Sequence, residues 1–147
     1  MVHERRAARI LVVDAAGRVL LQNCCDPADT AQRWWNTTGG GIDDGESAAQ
    51  AGARELAEET GLTVPAGALG EVVHRRVTEF SFAGTHYRQA EEYFLLRVDA
   101  FDATPTAHTP LELAAVLGTR WWTRAELRVT TERIYPTELP DLLDRLT

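Results

Sequence analysis

One run of twenty-three residues, 40–62, constrains this chain more than any other part of it. It follows the pattern G-x5-E-x7-R-E-L-x-E-E-x-G-L, in which the first glycine is Gly40 and the last leucine is Leu62. The pattern places four glutamates and one arginine in a single loop and the segment that follows it. An acidic cluster of this density is hard to explain by packing, because like charges repel one another, and it is typical of a divalent-metal site.

The local sequence predicts a loop followed by a helix. Asp43-Asp44-Gly45 has the composition of a turn, and Ser47 with Gln50 forms a capping-box pattern that opens a helix. Good helix formers follow, most of them alanine. Gly61 stands where a left-handed residue usually ends a helix. The helix is therefore predicted over about residues 47–60.

The acidic residues of this helix share one face. Glu55, Glu58 and Glu59 are related by spacings of three and four, so their side chains are neighbours on the helix surface. Their mutual repulsion needs more positive charge than the single Arg54 carries. Carboxylate ligands favour a hard cation, so the sequence predicts bound Mg²⁺, with Mn²⁺ as the alternative.

The same pattern resembles the Nudix box, the signature of hydrolases that cleave nucleoside diphosphates linked to another moiety. Every fixed position of that signature is present: Gly40, Glu46, Arg54, Glu55, Leu56, Glu58, Glu59, Gly61 and Leu62. The resemblance implies an α/β fold, namely an α/β/α sandwich around a mixed β-sheet. It also implies one domain over residues 1–147 and metal-dependent hydrolysis of a phosphoanhydride bond in a nucleotide derivative.

The resemblance also assigns roles to residues. The implied metal ligands are Glu55, Glu58, Glu59 and the carbonyl of Gly39. Arg54 matches the residue that orients the glutamates, and Glu46 is its expected partner beside the loop glycine Gly40. Glu55, Glu59 and Arg54 are thus the implied catalytic residues. The general base is either Glu55 or a glutamate outside the box.

Candidates for substrate binding lie outside the box. Glu91 and Glu92 occupy a predicted strand, and one of them is the candidate to complete the metal site. Alternation puts the two on opposite faces of the sheet, so at most one points at the site. Arg88 is a candidate ligand for a phosphate or carboxylate. Trp35 is a candidate for base stacking, although core packing is the simpler explanation for a tryptophan.

The remaining elements follow from turn signals and alternation. Strands are predicted at 7–14, 19–23, 34–36, 70–82, 85–98 and 120–122, with a loop at 24–33. Short helices are predicted at 111–117, after Thr123, and at 140–146. The stretch 99–110 has no regular pattern.

The composition indicates which kind of substrate and which cellular compartment to expect. A net charge of −7 argues against a nucleic-acid polymer and leaves a small nucleotide as the expected substrate. The sequence shows no membrane-spanning run, and the adjacent Cys24 and Cys25 fit free thiols in a reducing cytoplasm. Homodimerisation is common in the resembled family and is an open expectation here.

Two other functions remain open. One is a nucleotide-sensing domain that binds without turnover, although such domains usually lose box carboxylates. The other is a diphosphate isomerase of the same fold, which would need a catalytic cysteine such as Cys24 or Cys25.

Overall fold

The computed structural model describes residues 1–103 and 116–147. Seven strands and three α-helices lie within them. The strands are β1 (Val2–Val13), β2 (Val19–Asp26), β3 (Asp29–Gly41), β4 (His74–Phe82), β5 (Thr85–Arg97), β6 (Val116–Trp122) and β7 (Ile134–Tyr135). The helices are α1 (Ala48–Thr60), α2 (Arg124–Val129) and α3 (Leu139–Leu146), and a 3₁₀ turn occupies Ala66–Leu69.

The strands form one mixed sheet in the order β4-β5-β1-β2-β3-β7. Strand β6 lies outside this order and pairs with β2 in the antiparallel direction. Strands β1 and β5 are parallel over twelve residue pairs, whereas β4–β5 and β2–β3 are antiparallel. Strand β1 also pairs with β3, from Ala7 opposite Gly41 to Ile10 opposite Thr38. This pairing places the N-terminal half of β1 beside the first residues of the box.

Alternation along β1 produces an apolar cluster on each face of the sheet. Ile10 and Val12 pack with Leu56 of α1 on one face. Leu11 and Val13 pack with residues of α2 and α3 on the other face. The sheet is thus enclosed by helices on both sides, which confirms the predicted α/β/α architecture. Burial of these side chains from water is the main stabilising term of such a layered fold.

Both predicted capping boxes are present. The Ser47 hydroxyl accepts a hydrogen bond from the Gln50 N–H, and the Gln50 side-chain oxygen accepts one from the Ser47 N–H. Thr123 and Glu126 make the same reciprocal pair at the start of α2. Gly61 ends α1 with a left-handed φ of 78°. These local signals therefore specify where the box helix begins and ends.

The predicted loop at 24–33 is wrong. Strands β2 and β3 continue through it as a ribbon with Asp26 opposite Asp29, and the Asp26 carboxylate accepts the N–H of Ala28 in the turn. The exposed tip of β3 has the polar composition of a loop, because its side chains face solvent rather than a core. Strand β4 begins at His74, later than predicted, and the two-residue β7 was not predicted.

The helix predicted at 111–117 lies mostly outside the described residues, and 116–117 belong to β6. The unpatterned stretch 99–110 is likewise described only up to residue 103. Among the described helices, none is long and apolar enough to cross a membrane.

Replacing Gly61 by alanine tests the C-terminal cap of α1. A Cβ at a φ of 78° is strained, so we expect Gly61→Ala to lower the free energy of unfolding by about 1–2 kcal/mol. Urea denaturation measures the difference. Gly67→Ala is the matched control, since a Cβ there meets nothing within 4 Å. Equal stability of the Gly61→Ala variant and the wild type would contradict the assignment of this cap.

Candidate functional site

Three consecutive glycines of β3 bring charged side chains against the backbone. A Cβ on Gly40 would lie 2.7 Å from the Glu55 carboxyl carbon, and one on Gly41 would lie 2.9 Å from an Arg5 nitrogen. Gly39 has a φ of +142°, and its Cβ would lie 2.1 Å from the carbonyl oxygen of Ala8. No other residue type fits these positions without movement of the neighbours. The segment 39–41 therefore allows a carboxylate and a guanidinium to approach the same stretch of strand.

Arg54 holds the box together. Its Nε and Nη2 each lie 2.9 Å from an oxygen of Glu46, and Nη2 also donates to the Gly41 carbonyl at 2.9 Å. Its Nη1 lies 3.0 Å from Glu55 Oε1 and 3.4 Å from Glu58 Oε2. One planar guanidinium thus links the loop, the glycine strand and two helix glutamates, which an ammonium group could not do.

The pKa shifts of Glu46 and Arg54 are consistent with these contacts. The hydrogen bonds from Arg54, with one from the Asp43 N–H, lower the pKa of Glu46. The pKa of Arg54 is raised, chiefly by its hydrogen bonds to Glu46. Both groups therefore stay ionised at neutral pH, and Glu46 acts on the helix glutamates through Arg54.

Two of the three helix glutamates, Glu55 and Glu59, lie beside the glycines, and Glu58 reaches the same Arg54 guanidinium as Glu55. Glu55 and Glu59 are buried, whereas the Glu58 side chain is 28% exposed. Glu59 Oε2 accepts the Gly39 N–H at 2.9 Å. Buried carboxylates are costly unless charges or donors offset them. Arg54 and the Gly39 peptide supply part of that compensation.

This donor set suits a hard divalent cation. It consists of carboxylate oxygens on one helix face, which Mg²⁺ and Mn²⁺ prefer, and a glycine backbone that leaves room beside Glu55. Within 1–103 and 116–147, no three His, Cys, Asp or Glu side chains form a ready-made cage. Mg²⁺ does not require such a cage, since it keeps several waters and takes ligands from its substrate's phosphates.

Glu91 occupies a buried polar network on the opposite face of the sheet from α1. Its carboxylate accepts from Gln89 Nε2 at 2.9 Å and from the Tyr93 hydroxyl at 3.1 Å. Arg9 Nε lies 3.3 Å from it, and Arg76 Nε lies 3.4 Å from it. The structure thus surrounds Glu91 with donors. Burial and the nearby Glu91 charge raise the pKa of Tyr93, which keeps its hydroxyl a donor.

Arg9 connects Glu91 to the box. Its Nη1 donates to the carbonyls of Thr37 at 3.1 Å and Gly39 at 3.2 Å. Burial lowers the pKa of Arg9, but the carboxylates around it, Glu91 foremost, more than offset this and leave it raised. Gly39 is therefore held from two sides, its N–H by Glu59 and its carbonyl by Arg9.

The other candidates from outside the box lie elsewhere. Glu92 is on the opposite face from Glu91, where it pairs with Arg6 at 3.0 Å and Arg75 at 3.6 Å. Arg88 is exposed on β5. Trp35 lies in the core, with its ring 5.2 Å from that of Trp122 and its indole nitrogen bonded to Glu132. This arrangement agrees with the packing interpretation of Trp35.

Sequence reasoning missed two arginines of the site, Arg5 and Arg9. A signal for Arg9 was available, because it interrupts an otherwise apolar strand at 7–14, and a buried charge there needs a specific partner. Its partners are the Glu91 carboxylate and two carbonyls of β3. The pairing of β1 with the glycines of β3 joins segments thirty residues apart, and no local pattern predicts such a pairing.

Comparisons with known proteins identify the family of this chain. The NUDIX domain family model matches residues 3–142. The chain is 30% identical to an RNA pyrophosphohydrolase of Sphingopyxis alaskensis over 116 residues, covering 71% of this chain and 70% of that protein. It is 31% identical to one of Novosphingobium aromaticivorans over 149 residues, covering 95% of this chain and 82% of that protein.

Among solved structures, the MutT protein from Methanosarcina mazei Go1 superposes with a TM-score of 0.71 at 19% identity, covering 98% of this chain and 93% of that one. At this identity the likeness concerns the fold. The family match spans both the box and the strands around it. The chain belongs to the Nudix family and is a Nudix hydrolase.

Proposed function

We propose that this chain hydrolyses a phosphoanhydride bond in a nucleoside diphosphate derivative or a nucleoside triphosphate, with Mg²⁺ as its metal. Nudix hydrolases act on pyrophosphate bonds of nucleotide derivatives and generally use divalent cations. The observation that carries the proposal is the acidic face of α1, which Arg54 and the Gly39 peptide hold against an open glycine strand. Glu55, Glu58, Glu59 and the Gly39 carbonyl are the proposed metal ligands. That carbonyl accepts one hydrogen bond from Arg9 and has a second lone pair for the metal.

The residues of the chain divide the chemistry between them. A bound divalent cation would neutralise phosphate oxygens and lower the pKa of the attacking water. A glutamate takes the proton of that water as its oxygen attacks phosphorus and the anhydride P–O bond breaks. Glu55 and Glu59 are the proposed bases, since both are buried beside the glycines. Arg54 keeps the Glu55 carboxylate in place, and the Gly39 N–H does so for Glu59, while charge develops on the leaving phosphate.

Glu91 is less suited to act as the base. Two arginines, an amide and a phenol already engage its oxygens. Its proposed role is to hold Arg9 against the Gly39 carbonyl. Glu92 pairs with arginines on the other face and has no proposed role in the reaction.

A second candidate substrate is the 5′ end of an RNA. The names of the two curated relatives favour it, whereas the net charge of −7 disfavours extended contact with a polymer. Both substrates present a 5′-polyphosphate to the site. The bond cleaved would be of the same type in either case.

A substrate panel tests the proposed function. Nucleoside triphosphates, oxidised triphosphates, ADP-ribose, nucleotide sugars, dinucleoside polyphosphates and a 5′-triphosphorylated oligoribonucleotide would be incubated with Mg²⁺, and the products separated by chromatography. We expect release of a nucleoside monophosphate, or of pyrophosphate from a triphosphate, with one substrate far ahead of the others. Metal-dependent binding without turnover of any substrate would instead indicate a sensing domain.

Glutamine substitutions test the metal ligands. We expect Glu58→Gln and Glu59→Gln each to lower kcat by about 10²-fold or more, because each removes a charge from the metal site. Steady-state kinetics at saturating Mg²⁺ measures this loss. The exposed Glu71 provides the control, since Glu71→Gln changes charge away from the site. If both helix variants turned over at the wild-type rate, the ligand assignment would fail.

Replacing Arg54 by lysine tests the clamp. The ammonium keeps the charge but cannot reach Glu46, the Gly41 carbonyl and the helix glutamates together, so kcat/KM should fall by about tenfold or more. The matched control is Arg128→Lys on α2, where the guanidinium pairs with Asp141 and Asp144 at the surface. Equal activity of Arg54→Lys and the wild type would show that charge alone suffices.

The reactivity of the Cys24 thiol tests the isomerase alternative, which needs a catalytic cysteine. Burial raises its pKa to about 12, so it remains a protonated, weak nucleophile at pH 8. In a Cys25→Ser background we expect iodoacetamide to modify Cys24 at least about a hundredfold more slowly than a free cysteine. Cys24→Ser should retain hydrolysis. Rapid alkylation, or loss of all turnover in a folded Cys24→Ser protein, would favour cysteine chemistry.

A further inference from the structure

Strand β4 forms an outer edge of the sheet. It runs from His74 to Phe82 and is hydrogen-bonded to β5 on one side. Within residues 1–103 and 116–147, no strand pairs with its other side. The N–H and C=O groups of alternate β4 residues therefore point away from β5 without a partner strand. Such an edge is a place where another chain can add by strand pairing.

The edge lacks the features that usually prevent strand addition. Natural edge strands are commonly blocked by proline, by a bulge or by charges. Strand β4 contains no proline, and its register with β5 is continuous along its whole length. It does carry charges on its exposed face, but they are of opposite sign, Arg75 and Glu79. They lie two residues to either side of Val77, which is 60% exposed.

These three side chains share one face of β4, because they alternate with partly buried residues. The side chain of Arg75 is 71% exposed and that of Glu79 is 58% exposed. Their ion pairs within the chain are long, 3.6 Å from Arg75 to Glu92 and 3.9 Å from Glu79 to His86. Both charges are therefore accessible to a second molecule, as is the apolar side chain between them.

A second copy of the chain fits this edge in one register. Two β4 strands can run antiparallel with Val77 of one copy opposite Val77 of the other. Arg75 of each copy then lies opposite Glu79 of the second copy, so a two-fold axis relates two ion pairs and one valine pair. A shift of two residues in either direction removes both directly opposed ion pairs. A parallel pair in register would place Arg75 opposite Arg75.

The neighbouring strands continue the alternation of charge. On β5, Glu92 lies opposite Arg75 and Arg88 lies opposite Glu79. On β1, Glu4 lies opposite Arg88. One row across the paired sheets would therefore contain Glu4, Arg88 and Glu79, followed by Arg75 and Glu92 of the second copy. The sign changes at every step of this row, which offsets the repulsion expected between two copies that each carry a net charge of −7.

We propose that β4 is a homodimer interface, in which two copies of this chain pair their β4 strands antiparallel about Val77 and join their sheets into one. Residues 74–80 of the two strands overlap in this register and make about six backbone hydrogen bonds. Edge pairing buries less area than a standard interface, so the expected dimer is weak, with a Kd of about 1–100 µM. Strand β4 carries none of the proposed metal ligands, and the inference does not depend on the proposed reaction.

Sedimentation velocity over about 1–200 µM, a range that includes this Kd, tests the interface. We expect Arg75→Glu and Glu79→Arg each to weaken dimerisation by about tenfold or more, because each substitution places two pairs of like charges across the interface. The matched control is Arg97→Glu, which makes the same charge change at an exposed β5 residue beyond the part paired with β4. Its Kd should stay within about twofold of the wild type.

A mixture of the two variants distinguishes the proposed pairing from a general loss of structure. The Arg75→Glu chain has carboxylates at both positions, and the Glu79→Arg chain has guanidiniums at both. Each variant therefore repels itself, whereas an equimolar mixture regains both ion pairs and should dimerise about tenfold more tightly than either variant alone.

Three results would overturn the proposal: a wild type that stays monomeric over the whole range, single variants that dimerise like the wild type, or a mixture that associates no better than its components. The second result would place any dimer on another surface. Neither substrate nor metal enters these measurements, so their outcome is independent of the hydrolysis assay.

Discussion

The close approach of helix α1 to the glycine segment of β3 is the contact on which the site depends. Without a side chain at Gly40, the Glu55 carboxylate reaches the strand, and the Gly39 N–H is available to Glu59. Arg54 then ties the helix to the Gly41 carbonyl and to the loop through Glu46. The acidic cluster is costly in isolation, so the fold retains it through these bonds rather than through packing.

The arrangement of strands explains how Glu91 is connected to the box. Strand β1 contacts β5 on one side and the glycines of β3 on the other. Residues on one face of β1 therefore lie between Glu91 and the box. Arg9 uses this position to bridge Glu91 and the Gly39 carbonyl. The glycines of β3 are therefore held by Glu59 through the Gly39 N–H and by Arg9 through the Gly39 carbonyl.

The box could be predicted from sequence because its signals are local. The cap at Ser47, the stop at Gly61 and the shared face of Glu55, Glu58 and Glu59 all follow from helix geometry, and the structure has the helix at Ala48–Thr60. Long-range strand register determines the pairing of β1 with β3 and the environment of Glu91. The alternation of apolar and polar residues along one strand does not specify that register. The exposed ribbon around Asp26 has the sequence of a loop, because strands without a core on either face lose their periodic pattern.

The central claim is that the acidic face of α1 binds the catalytic metal beside Gly39. The most direct test is a crystal structure of the enzyme grown with Mn²⁺, in which anomalous scattering locates the ion. The account predicts a peak contacted by Glu55, Glu58, Glu59 and the Gly39 carbonyl, with Arg54 still bound to Glu46. A peak at other residues, or carboxylates that keep their contacts with Arg54 at saturating Mn²⁺ and no peak beside them, would contradict it.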